Sequence, residues 1–163
     1  MNETAGKGGE KSFALTASLE DYLEAIKEVI DGSADAHAHT SEIAKRLKVA
    51  KPSVTYALGI LRDQGYLNYN TSRPVTLTAL GEAEASRVIR RHRVLTVFLR
   101  DVLKLEEASA GQTACRIEHV IDERVLKRLE VLNQAFLSSE AGEALRTRVW
   151  NGFDESTAEA EEK

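Results

Sequence analysis

The chain has 163 residues, of which 42% are hydrophobic, 29% charged and 6% aromatic, with two prolines. That length suits one or two small domains, and the balance describes a soluble, helix-rich globular protein, neither disordered nor collagenous. The net charge of −4 argues at first sight against a nucleic-acid binder. No run of eighteen apolar residues occurs, so no membrane-spanning helix is expected. The N-terminal stretch lacks the apolar core of a secretion signal. The single cysteine, Cys115, cannot close an internal disulfide and fits a reducing cytoplasm.

The average charge conceals a segregation. Residues 154–163 hold five acids and one lysine, which predicts an acidic disordered tail over 151–163. Residues 1–13, rich in Gly, Lys and Glu, are expected to be flexible. Between Glu42 and Arg73 the balance reverses: Lys45, Arg46, Lys48, Lys51, Arg62 and Arg73 face only Glu42 and Asp63, a local charge of +4. Such an excess is an electrostatic footprint for phosphate, although by itself it more often describes a solvated face.

In chain order, Ser18-Leu19-Glu20-Asp21 reads as a capping box opening a first helix. Leu19, Tyr22, Leu23, Ile26, Val29 and Ile30 share one face of it, and Gly32 stops it. After a loop over 33–39, Thr40 can cap a short second helix carrying Ile43, Ala44 and Leu47. A third starts near Lys51 with Pro52 in its tolerant first turn, buries Val54, Leu58 and Leu61, and ends at Gly65. Residues 66–70 and 75–78 read as two short strands, with Thr71-Ser72-Arg73-Pro74 as the turn between them. Thr78 can cap a long fourth helix reaching about Lys104. Three more are predicted over about 109–121, 123–133 and 139–150. The fold class is therefore mainly α. A winged helix-turn-helix domain with a two-stranded wing spans 14–78, and an all-helical domain spans 79–150. The second unit is small for a stable core, so a homodimer is expected.

In a helix-turn-helix the second helix of the pair enters the major groove with its N-terminal residues at base edges. Those residues are Lys51, Pro52, Ser53, Thr55 and Tyr56, while Val54 and Leu58 point inward. Ser53 and Thr55 can hydrogen-bond to phosphate or base, Lys51 neutralises phosphate, and Tyr56 adds apolar contact. Arg73 at the wing tip is placed to reach the backbone or minor groove. Double-stranded DNA is the expected partner, the competing reading being a two-helix packing unit in an interaction domain.

Potential metal ligands are scattered over three helices. Asp21 and Glu24 share a face of the first, opposite its apolar stripe; alone, they read as a capping acid and a solvated charge. His92 interrupts the Ala85, Val88, Leu95, Leu99, Leu103 stripe of the fourth, where a lone histidine is more often a core residue. Cys115, Glu118 and His119 stand at i, i+3 and i+4 of the fifth, either a transition-metal half-site or an ordinary polar face.

Residues 14–137 resemble the metal-dependent repressors of the diphtheria toxin repressor and manganese transport regulator family. The matching stretches are LTASLEDYLEAI, SEIAKRLKVAKPSVTYALGILRDQGYL, VTLTALGEAEA, RRHRVLTVFL and ACRIEHVIDERVLKRL. The resemblance implies a cytoplasmic homodimer that binds an operator through winged helices when loaded with Mn(II) or Fe(II), repressing metal-uptake genes. It assigns Asp21, Glu24, His92, Cys115, Glu118 and His119 to the metal. Asp21 and Glu24 match the acidic pair of the manganese branch, whereas Cys115 agrees with the iron branch. Where the iron branch's ancillary site wants an acid and a histidine, this chain has Thr96 and Gly111. The metal expectation leans to Mn(II) over Fe(II) because both helix-1 acids are present. No enzymatic activity, small-molecule substrate or membrane association is expected. The rivals are a winged-helix regulator indifferent to metal and, last, a small metalloenzyme using Cys115, Glu118 and His119; for the latter no spare nucleophile or phosphate-binding loop is visible.

Overall fold

The computed structural model describes residues 15–70 and 72–161, the segment 154–161 as backbone only. The expectation of a flexible segment over 1–13 lies outside the described residues. Helix α1 (Ala17–Asp31) begins earlier than its capping-box reading: Thr16, in extended conformation, is the N-cap and accepts from the Leu19 amide, which puts Ser18 inside the first turn. Gly32 caps the C-terminus. Helix α2 (Thr40–Leu47) likewise opens one residue early. His39 is its N-cap, with its amide donating to Glu42 Oε2 at 2.8 Å, and Thr40 is the first helical residue. Lys48 at φ 56° ends α2 and turns the chain into α3 (Lys51–Asp63), where Pro52 sits in the first turn and Gly65 at φ 82° follows the end.

Strands β1 (Leu67–Asn70) and β2 (Arg73–Leu77) pair antiparallel, with Leu67 opposite Leu77 and Asn70 opposite Arg73. Arg73 and Pro74 therefore belong to the strand, not to the turn; Pro74 is tolerated because it stands near the start of an edge strand. The α1–α2 loop adds a contact with no local sequence signal, since Ala38 exchanges two backbone hydrogen bonds with Val75 at 2.8 and 3.0 Å.

Thr78 caps α4 (Ala79–Val97), accepting from the Gly81 amide and donating to the Gly65 carbonyl at 2.7 Å, so the wing and α4 are tied at one hydroxyl. Gly81 has no room for a side chain, because a Cβ there would lie 2.0 Å from the Tyr66 carbonyl oxygen. Beyond Val97 the predicted helix widens into a π-helical stretch, Phe98–Val102.

Helix α5 (Glu107–Ile117) stops before the predicted Ile121, with Glu118 as its C-cap and His119 in the turn beyond. Glu118 keeps helical geometry and its amide donates to Ala114, so the two ligand candidates still project from the last turn. Helix α6 (Glu123–Leu137) follows an Asp122 cap. Helix α7 (Glu140–Glu161) runs well past Trp150 and takes up backbone expected to be a disordered tail; Ala and Glu are strong helix formers.

Two apolar clusters result. Leu23, Ile26, Ile43, Val54, Leu58, Leu61 and Val75 fill the winged-helix core, which Ala85 of α4 also joins. Leu95, Leu99, Ala110 and Ala114 centre the helical unit. Helix α4 thus packs against α1 at one end and α5 at the other. That arrangement brings the polar faces of α1 and α5 together. None of the described helices is long and apolar enough to cross a membrane.

Candidate metal centre

Glu118 lies at the centre of the site, its side chain fully buried. It is reached from three helices. His92 of α4 places Nδ1 2.6 Å from Glu118 Oε2, and His119 Nε2 stands 3.5 Å from Glu118 Oε1 and 2.9 Å from Asp21 Oδ1 of α1. Asp21 Oδ1 and Glu118 Oε1 are nonetheless buried with no hydrogen bond, because neither close approach is aligned for one. Two buried anionic oxygens left this way cost free energy unless a cation completes them.

Two groups of donors can each converge on one ion: Asp21, Cys115, Glu118 and His119, with ligand atoms all within 4.8 Å of one another, and Glu24, His92 and Glu118 by the same measure. All six residues assigned by resemblance fall into these groups, with Glu118 common to both. Neither the lone-histidine reading of His92 nor the solvated-charge reading of Glu24 describes this placement. Carboxylates, imidazoles and one thiol make a set suited to a first-row divalent ion.

The electrostatics record the crowding. Burial, reinforced by the charge of Glu118, pushes Glu24 up to about 7 despite the opposing pull of His92. Burial also raises Asp21 above the ordinary carboxylate value, against the pull of His119. The hydrogen bond that His92 Nδ1 donates to Glu118 raises His92. Burial acts to lower His119, but Glu20, Asp21 and Glu118 together leave it raised. Burial and the surrounding carboxylates push the Cys115 thiol up. Asp21, Glu24, His92, Cys115 and His119 therefore hold their protons more tightly than usual, as expected where negative charge is concentrated without a metal.

Three residues around the ligands escape a reading of the sequence. Glu20, buried, accepts from His119 Nδ1 at 2.7 Å and pairs with Arg91 of α4 at 3.0 Å. Glu28, one turn beyond Glu24, is ion-paired with Arg46 of α2, which ties the second helix to the helix that carries Asp21 and Glu24. The capping-box reading absorbed the Glu20 region, and contacts between distant helices have no local periodicity.

On the DNA-binding side, Lys51, Pro52, Ser53, Thr55 and Tyr56 are exposed along the start of α3 while Val54 is fully buried. Tyr56 is 73% exposed, unusual for a large ring without a partner surface. The Thr55 hydroxyl donates to the Lys51 carbonyl at 3.1 Å, which leaves its oxygen free to accept. Arg73 is exposed on the wing.

Residues 14–75 match the family model for the iron-dependent repressor N-terminal DNA-binding domain, and residues 78–143 match that for the iron-dependent repressor metal-binding and dimerisation domain. The chain belongs to the diphtheria toxin repressor and manganese transport regulator family. It is 34% identical over 122 residues to an uncharacterised helix-turn-helix-type transcriptional regulator of Methanocaldococcus jannaschii, covering 75% of this chain and 97% of that one. It is also 34% identical over 119 residues to the transcriptional regulator MntR of Lysinibacillus sphaericus, covering 73% and 84%. Among solved structures, a manganese-dependent transcriptional repressor in complex with manganese superposes with a TM-score of 0.64 at 28% identity, over 71% of this chain and 52% of that one. IdeR of T. acidophilum superposes with a TM-score of 0.59 at 26% identity, over 72% and 53%. The chain thus spans about half the length of these two repressor structures. Members of this family are metal-responsive DNA-binding regulators, which places the chain with transcription regulators.

Proposed function

We propose that this repressor is activated by Mn(II) in preference to Fe(II), bound by Asp21, Glu24, His92, Cys115, Glu118 and His119, and that its dimer recognises a near-palindromic operator. The observation that carries this reading is Glu118: one buried carboxylate shared by two donor groups that draw on α1, α4 and α5. The cation supplies positive charge that offsets the crowded carboxylates. Asp21 and Glu24 then hold α1, and with it the winged helix, against His92 and the α5 ligands, which fixes the reading helices in one orientation. In the absence of a cation the same carboxylates repel, and the two units are free to rock. A ligand shifts such an equilibrium only by its differential affinity for the two states.

The donor set supports manganese through its three carboxylates and two imidazoles, while Cys115 adds affinity for softer ions. Cys115→Ser should accordingly weaken the response to Co(II) and Zn(II) more than the response to Mn(II). The deciding experiment is DNA binding titrated separately with Mn(II), Fe(II), Co(II) and Zn(II), using an operator selected from random DNA by the metal-loaded protein. Binding that ignores metal altogether would favour the metal-indifferent regulator.

DNA contact through α3 and the wing makes distinct predictions for two residues. Lys51→Ala should weaken binding to all sequences and reduce the salt slope by about 1, as expected for one lost phosphate contact. Tyr56→Ala should relax sequence preference at its base step, with a cost of about 1–3 kcal/mol at the preferred site. Electrophoretic or anisotropy assays on the operator and on unrelated DNA separate the two effects. Affinities within twofold of wild type for both variants would misplace the reading helix.

The surface for the second copy is supplied by α6, within the stretch matching the dimerisation model. Val131 and Leu132 are 66% and 43% exposed there, flanked by Lys127 and Arg128. Val131→Asp should raise the dimer dissociation constant at least about tenfold, corresponding to about 1.4 kcal/mol. Sedimentation equilibrium reads this directly, and an unchanged dimer would exclude that face.

A further inference from the structure

Glu20 is one of the few buried charged residues among those described, and none of the donor groups includes it. Its two oxygens are both engaged across helices: Oε2 with His119 Nδ1 at 2.7 Å, and Oε1 with the Arg91 guanidinium at 3.0 Å. A single carboxylate on α1 thereby contacts α4 and α5. Arg91 is itself largely buried, its side chain 14% exposed, so the pair is not a loose surface contact.

The consequence lies in the imidazole. A neutral histidine carries one ring proton, and an ionised carboxylate can only accept. In the neutral ring the aligned hydrogen bond to Glu20 favours the proton on Nδ1, which leaves the Nε2 lone pair facing α1. That nitrogen faces Asp21 Oδ1 at 2.9 Å and Glu118 Oε1 at 3.5 Å, the two buried oxygens that take no hydrogen bond. A bare Nε2 beside two bare carboxylate oxygens is three donor atoms aimed at one point. Arg91 stands beside the other oxygen of Glu20 as an ion pair without an aligned hydrogen bond, so its charge favours the ionised carboxylate that accepts from His119.

We infer that Glu20 is a positioning residue, braced by Arg91, that selects the Nδ1–H tautomer of His119 and so presents Nε2 to the metal. This rests on the metal-site reading above, but its primary readout needs no metal. A carboxylate behind a metal-binding histidine is worth about 10–100-fold in metal affinity.

The test combines two measurements on the full chain. The first is long-range ¹H–¹⁵N correlation of the His119 ring in metal-free protein, at a pH above the ring's own titration as read in the same spectra. The second is Co(II) affinity at fixed pH. Wild type should show a single tautomer with the proton on Nδ1. Glu20→Ala should show a tautomer mixture and a 10–100-fold weaker Co(II) affinity. Glu20→Gln keeps one acceptor oxygen but turns an amide NH2 towards either Arg91 or His119, so its Co(II) affinity should fall between those of wild type and Glu20→Ala; being isosteric, it also guards against misfolding of the alanine variant. Arg91→Ala should move towards the Glu20→Ala result in both measurements. The inference is overturned if the His119 tautomer is unchanged in Glu20→Ala, if Co(II) affinity of that variant stays within threefold of wild type, or if Glu20→Gln binds as weakly as Glu20→Ala. A wild-type protein with the expected tautomer that binds Co(II) at this site but shows no metal-dependent DNA affinity would sink the proposed function and leave the role of Glu20 standing.

Discussion

Glu118→Ala is expected to abolish the metal-dependent gain in DNA affinity while leaving the dimer folded. Glu118 is the one ligand candidate that both donor groups share, so its loss reduces each of them at once. The side chain is also fully buried beside two imidazoles, so its loss leaves both without the carboxylate they share. If metal strengthens operator binding about 100-fold, the coupling is about 2.7 kcal/mol, within the usual allosteric range. In Glu118→Ala that gain should fall below about threefold, or about 0.7 kcal/mol. Asp21→Ala should produce a similar loss by a different route: it leaves the α4 and α5 ligands in place but removes one of the two acids linking them to α1. Anisotropy with and without Mn(II) measures the gain, and circular dichroism checks the fold. Full retention of the gain in both variants would mean that these residues are not the switch.

The second large effect is an opposite dependence on pH in the metal-free and metal-loaded protein. In the metal-free chain Glu24 is raised to about 7, and Asp21, His92 and His119 are raised as well. Each group binds its proton more tightly folded than unfolded. Each therefore contributes stability that is fully present below its unfolded pKa and lost as pH rises through the folded value. The melting temperature of the metal-free protein should fall between pH 6 and pH 8, mainly as Glu24 loses its proton, with the raised histidines adding to the fall. Metal binding demands the deprotonated donors, so Mn(II) affinity should rise over the same interval with release of more than one proton per ion. Thermal melts at the two pH values, with and without Mn(II), should therefore show slopes of opposite sign. Parallel slopes would mean that the metal binds away from this cluster.

Local punctuation made much of the fold readable. Gly32, Pro52, Gly65 and Thr78 each mark a boundary through backbone chemistry that acts within a few residues, and those boundaries stand where they were expected. Competition between equivalent neighbours decided the boundaries that moved. Thr16 and Ser18 can both cap α1, and the residue that leaves the helix in extended conformation does so. His39 preceded Thr40 for the same reason, with Glu42 satisfying its amide. Arg73 looked like a turn residue by composition, yet its pairing with Asn70 depends on strand register, which composition does not encode.

The candidate metal centre divides along the same line. The spacing of Cys115, Glu118 and His119 is local and was legible as a possible half-site, whereas Asp21, Glu24 and His92 each had an ordinary local explanation. Only the packing of α4 against both α1 and α5 brings them to one carboxylate. The resemblance to a known family supplied that link before the geometry did. Glu20, Arg91 and the Glu28–Arg46 pair lay beyond both, because each acts through a partner on another helix.

The most direct test is the affinity of the protein for its selected operator in chelator and in saturating Mn(II), at one salt concentration. The account predicts binding at least tenfold tighter with Mn(II), and abolition of that difference in Glu118→Ala. Equal affinity of the wild-type protein in chelator and in Mn(II) would contradict it.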